Sequence, residues 1–217
     1  MSIVSSPATI AEAINHLASK DARLGSIISS INKTPTITPH KNYYQELVES
    51  IVSQQLSVKA AATILKRFIA LFPGSKFPLP EDILTKDTET FRSVGLSRQK
   101  ATYIQDLAVK VIEGTVQFNH LDSLSNEAVV AELTQIKGVG VWTVHMFLIF
   151  CMGRLDVLPT GDLGIRNGIQ KLYELSEKPS PETIEAISRE NGWHPYESVA
   201  SWYVWQSLDN MPALETE

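Results

Sequence analysis

The sequence contains one cysteine, Cys151, in 217 residues. A single thiol excludes an internal disulfide, an all-cysteine zinc site and a four-cysteine iron–sulfur cluster. Long apolar runs are also lacking. The longest, around Val144–Met152, is too short to cross a bilayer as a helix, so no membrane association is expected. The opening residues MSIVSSPATI carry neither a basic region nor an extended apolar stretch and are not expected to act as a signal peptide. Hydrophobic residues make up 43% and charged residues 20%, the balance of a globular chain rather than a disordered one.

A surplus of positive charge is missing as well: the formal net charge is −5. The deficit is local. Residues 174–217 hold nine acidic and two basic side chains, whereas residues 1–130 hold twelve and thirteen. Basic clusters occur at Lys59/Lys66/Arg67 and at Arg92/Arg98/Lys100. This balance argues against a protein that coats nucleic acid by charge alone. It leaves room for one that grips a few phosphates through backbone groups. The acidic final segment reads as a solvated face.

Strand signals are scarce and helix signals recur. Ser6-Pro7 has the form of an N-cap followed by proline at the first helical position. Ser57, Asp87, Ser97, Ser125 and Ser180 stand before further amphipathic stretches, and Gly95, Gly114, Gly153 and Gly192 follow others. Asn42–Gln54 carries Leu47, Val48 and Ile51 at helical spacing. About ten short helices are expected, which is an all-α protein. Asn32–Pro39, with two prolines, is a candidate crossing between lobes. Phe72–Pro80 reads as a turn inside one lobe.

The most informative stretch is Leu133–Tyr173, LTQIKGVGVWTVHMFLIFCMGRLDVLPTGDLGIRNGIQKLY. A helix leads into Gly138-Val139-Gly140 and a second helix follows. Such a hairpin aims successive N–H groups outward at a helix N-terminus, where a phosphate fits without any basic side chain. A Gly-x-Gly alone reads more readily as a plain turn between core helices. Further on, Asp162 in LPTGD precedes a helical run, the ordinary position of an N-cap.

Taken together, this block, SIVSQQLS (Ser50–Ser57) and GLSRQKA (Gly95–Ala101) resemble the helix-hairpin-helix glycosylase superfamily, and most closely its 3-methyladenine DNA glycosylase II branch. The resemblance runs from about Tyr43 to Leu208. It implies two helical lobes with a DNA-binding cleft between them, one formed by residues 1–41 with 146–217 and the other by residues 42–145. It implies a hydrolase of N-glycosyl bonds that flips alkylated purines from duplex DNA, releases them and leaves an abasic site for base excision repair. Asp162 matches the aspartate that stabilises the oxocarbenium-like sugar and orients water. Trp142 stands where strand-cleaving relatives carry a Schiff-base lysine, which implies a monofunctional enzyme.

Alkylated purines are cationic, and electron-rich aromatic faces attract them by about 0.5–2 kcal/mol. Trp142 and Trp205 match pocket tryptophans of the branch, with Met146 one turn after Trp142 where some relatives have tyrosine. Gly161 stands where some have a second acid. Trp193 and Trp202 read as core. Gln55 aligns with the side chain that fills the stack behind the flipped base, and Gln54 and Leu56 are neighbouring candidates for the same work. Phosphate contacts are expected from Gly138, Val139, Gly140, Lys137, Arg98 and Lys100. The carbonyls of Thr134, Ile136 and Val139 are candidate ligands of a structural Na⁺ or K⁺. No cofactor is required and no iron–sulfur cluster is expected. His145 reads as a structural, hydrogen-bonded residue. The expected partner is damaged double-stranded DNA, the expected state a monomer, and the expected location inside the cell with the genome. The alternatives are a relative acting on deaminated or oxidised bases, and a DNA-binding module that senses lesions without cutting.

Overall fold

The computed structural model describes residues 2–74 and 76–208. Among the described residues twelve α-helices follow one another: α1 (Pro7–Lys20), α2 (Ala22–Ser30), α3 (Tyr43–Ser53), α4 (Val58–Ile69), α5 (Pro80–Leu84), α6 (Thr88–Ser93), α7 (Arg98–Ile112), α8 (Asn126–Leu133), α9 (Val141–Met146), α10 (Leu163–Leu172), α11 (Pro181–Glu190) and α12 (Glu197–Gln206). A short 3₁₀ turn covers Leu121–Ser123, and a π-helical segment, Phe147–Cys151, continues α9. Among the described residues the only β pairing is an isolated bridge between Val4 and Arg154. The protein is all-α.

Caps explain most of the boundaries. Ser6, Asp21, Ser57, Asp87, Ser97, Ser125, Asp162 and Ser180 each accept a backbone N–H in the first turn of the helix that follows. Such caps satisfy donors that the helix itself leaves unpaired, typically worth about 1 kcal/mol each. Two elements depart from the expectation. Helix α5 lies at the end of the stretch read as a turn. It has five residues, too few to show a period, and Asp82 Oδ2 reaches back to the Leu79 N–H at 2.9 Å. The run Val141–Met152, read as one helix, widens at Phe147, where the Met152 N–H bonds to the Phe147 carbonyl five residues back.

The chain divides into two compact units, one of residues 1–41 and 145–217, the other of residues 42–144. In the first, α12 is the central element, with every residue from Glu197 to Trp205 buried. It packs against α1, α2 and α10. Asp21 is 1% exposed and organises this unit. Its Oδ1 accepts the N–H groups of Arg23 and Leu24, and its Oδ2 accepts the Tyr173 hydroxyl and, at 2.8 Å, the Trp193 indole N–H. Trp193 and Trp202 are buried core residues.

In the second unit, α7 is flanked by α3, α5 and α6, and α4 packs on α3. Phe68, Phe72 and Phe91 form one aromatic cluster with ring centroids 5.6–6.4 Å apart. Burying a side chain of this size contributes roughly 1.5–3 kcal/mol.

Candidate active site

Asp162 ends the loop LPTGD and caps α10. Its Oδ1 accepts the Ile165 N–H at 2.8 Å. The same oxygen accepts a second bond, also 2.8 Å, from the indole Nε1–H of Trp205 on α12. Two donors on one oxygen fix the plane of the carboxylate, and the N-terminal end of α10 turns positive potential toward it. A carboxylate so held can stabilise a cationic carbon brought beside it. The N-cap role therefore does not preclude a second, chemical role for the same side chain.

The sequence permits this contact through two glycines one turn apart. A Cβ on Gly164 would lie 2.9 Å from Trp205 Cδ1 and 3.0 Å from Asp162 Oδ1. A Cβ on Gly168 would lie 2.3 Å from Val204 Cγ1. Without side chains there, α10 lies hard against α12 and the indole reaches the carboxylate. Phe150 packs beside the indole, with ring centroids 6.0 Å apart at 30°.

In the other unit the hairpin and the turn after α3 are tied together. Gly138 has φ +79°, and a Cβ there would come within 2.0 Å of the Tyr103 ring. Both its conformation and its packing require glycine. Gly140 differs, because a Cβ on it would meet nothing within 4 Å. The Gln54 side-chain amide donates to the Gly138 carbonyl at 2.9 Å. Next to it, Gln55 is exposed and has φ +58°, a left-handed conformation uncommon for a residue with a side chain. The Lys100 ammonium donates to the carbonyls of Val52 at 2.7 Å and of Gln54 at 2.6 Å.

Residues 48–193 match the model of the HhH-GPD superfamily base excision DNA repair protein. The chain belongs to this family. DNA-3-methyladenine glycosylase 1 of Schizosaccharomyces pombe is 38% identical over 168 residues, 77% of this chain and 73% of that one. A solved S. pombe 3-methyladenine DNA glycosylase in complex with abasic DNA superposes with a TM-score of 0.74 at 34% identity, over 94% of this chain and 100% of that one. A DNA-3-methyladenine glycosidase from Bacillus halodurans gives a TM-score of 0.79 at 34% identity, over 95% and 92%.

The expected site residues lie in different surroundings. Met146 is fully buried; it packs as an apolar core side chain and lines no open surface. Trp205 is 1% exposed, so its ring is not an open wall and its polar edge serves Asp162. Trp142, by contrast, is 44% exposed at the start of α9, beside Val141 at 51%.

Lys100, expected at a phosphate, is committed to the carbonyls at the end of α3, which leave its ammonium turned inward. Arg98 pairs with Glu89 at 2.7 Å, and Lys137 Nζ with Asp106 at 3.1 Å. Both basic side chains are about two-thirds exposed (68% and 67%). The Arg98–Glu89 pair, exposed on both sides, is worth about 0–1 kcal/mol and leaves Arg98 exchangeable to a phosphate, whereas Asp106 is only 13% exposed and holds Lys137 more firmly. The Lys137 backbone N–H also donates to Asp106, at 2.9 Å, so Asp106 holds the entrance to the hairpin. Asp106, Tyr103 and Gly164 were not singled out in the sequence. Only Gly164 had a local signal, its spacing from Gly168.

Proposed function

We propose that the protein is a monofunctional DNA glycosylase that releases alkylated purines of the 3-methyladenine and 7-methylguanine type from double-stranded DNA. The observation that carries this reading is the carboxylate of Asp162, held on one oxygen by both the Ile165 N–H and the Trp205 indole. As the glycosidic bond breaks, its electron pair leaves with the base, which departs neutral because alkylation made it cationic. Asp162 stabilises the positive charge left on the sugar and orients the water that adds to C1′, giving free base and an abasic site. Trp142 supplies an exposed indole face for a cationic purine. No lysine takes its place as a nucleophile, so the strand stays intact.

Gln55 is the proposed wedge that fills the stack. Gly138, Val139 and Gly140 offer backbone groups to a phosphate, with Lys137 and Arg98 as its cationic partners. The neutral carbonyl oxygens of Thr134, Ile136 and Val139 suit a monovalent cation of structural role. Ile136 already accepts the Val139 N–H at 3.1 Å, which leaves one of its two lone pairs. The protein acts as a monomer on genomic DNA inside the cell.

The test is incubation of the purified protein with methylated duplex DNA and identification of released bases by chromatography. Release of 3-methyladenine or 7-methylguanine without strand scission until alkali is added is the expected result. Release of only deaminated or oxidised bases, or binding without release, would replace this reading by one of its alternatives.

A further inference from the structure

Lys100 stands at the third position of α7, where Ser97 Oγ caps its backbone N–H at 3.2 Å. A cation in a first turn is badly placed for its own helix, since the N-terminal end already carries partial positive charge. The side chain is turned instead onto the C-terminus of α3. There the carbonyls of Val52 and Gln54 lie beyond the last helical donors, and the ammonium donates a hydrogen bond to each. Partial desolvation holds its pKa below the usual lysine value, as expected of an ammonium drawn off the surface. The residue that follows these carbonyls is Gln55, kept in a left-handed conformation that costs of order 1–3 kcal/mol unless its surroundings impose it. From the other side, the Gln54 amide fastens the same turn to the hairpin through the Gly138 carbonyl.

We infer that Lys100 and Gln54 are positioning residues for base extraction: they hold the turn that presents Gln55, and couple it to the phosphate-gripping hairpin, so that wedge and grip meet the duplex as one rigid template. This rests on the reading of Gln55 as the wedge. Neither residue touches the reacting nucleotide. Their effect appears only when a paired base has to be forced out, because preorganising the wedge matters in proportion to the unpairing work.

The experiment compares single-turnover base release from two duplexes carrying 7-methylguanine, one opposite cytosine and one opposite a tetrahydrofuran abasic analogue. The variants are Lys100→Met, Lys100→Arg, Gln54→Leu, Gln55→Ala and Lys100→Met/Gln55→Ala. Lys100→Met removes two charge-assisted bonds and is expected to slow release from the paired duplex at least about tenfold. On the orphan lesion the loss stays under about threefold, since little unpairing remains. Lys100→Arg keeps a cation at the α3 end and recovers most of the rate. The double variant is no slower than Gln55→Ala alone. Gln54→Leu, which leaves the Lys100 contacts in place, shows the same selective loss and carries the test if Lys100→Met does not fold.

Equal losses on both duplexes, or losses that add in the double variant, would overturn the assignment, since a purely structural role produces that pattern. Gln55→Ala with no preference between duplexes would remove the wedge reading itself. A selective Gln55→Ala beside Lys100→Met and Gln54→Leu variants that match wild type would overturn the positioning roles alone.

Discussion

The indole of Trp205 and the carboxylate of Asp162, 43 residues apart, are joined by a hydrogen bond of 2.8 Å. The donor is the one polar atom of a ring that is 1% exposed. Trp205→Phe keeps most of the ring and removes this donor. The carboxylate then keeps the Ile165 bond but loses its second restraint. We expect kcat for base release to fall about tenfold, the size of one charge-assisted hydrogen bond, with KM nearly unchanged. Steady-state kinetics on methylated duplex DNA check this; a change confined to KM would contradict it.

Asp162→Asn separates the capping role of that residue from its proposed catalytic one. Asparagine caps helices as well as aspartate, so thermal stability should change by less than about 0.5 kcal/mol. Base release should fall by roughly 10²–10³-fold or more, because the charge facing the sugar is gone. Duplex binding, followed by fluorescence anisotropy, should persist. Full activity in this variant would end the catalytic assignment.

The two hairpin glycines should respond oppositely to alanine. Gly138→Ala forces a Cβ into the Tyr103 ring at a positive φ and should destabilise the fold by about 2 kcal/mol or more. Gly140→Ala meets no protein atom and should leave the melting temperature nearly unchanged. It should nonetheless weaken DNA affinity, because an added methyl group stands in the way of a phosphate approaching the backbone. Parallel melting curves and binding isotherms distinguish these outcomes, and an unchanged affinity for Gly140→Ala would remove that residue from the interface.

Acid should destabilise the fold through His145. Burial holds this imidazole below its ordinary pKa of 6.5. Between the lowered value and 6.5 the unfolded chain binds the proton and the folded one does not, so stability rises with pH across that window. The contribution is complete above 6.5 and declines as the pH drops below it. Urea midpoints from pH 7.5 to pH 5 should decrease, with a shallower slope in His145→Gln. Identical slopes would place the acid sensitivity elsewhere.

Much of this was legible in the sequence because the signals were local. Ser and Asp caps such as Ser97 and Ser180 marked helix starts within a residue, and the Gly138–Gly140 and LPTGD motifs located the hairpin and the acid. What escaped depended on distant partners. Met146 and Trp205 matched a base pocket by alignment, but a one-dimensional match carries no information on burial. Lys100 looked like a surface cation because the carbonyls that claim it lie 46 and 48 residues away. Helix α5 was too short for periodicity to register.

The close seating of Gly164 and Gly168 on α12 also bears on how the protein can be re-engineered. The side chain of the acid is anchored by α10 and α12 behind it, while its backbone N–H bonds to the Pro159 carbonyl in the loop ahead. A side chain introduced at Gly164 or Gly168 would push α10 off α12 and turn the carboxylate, so both glycines are constrained by the site rather than by their own helix.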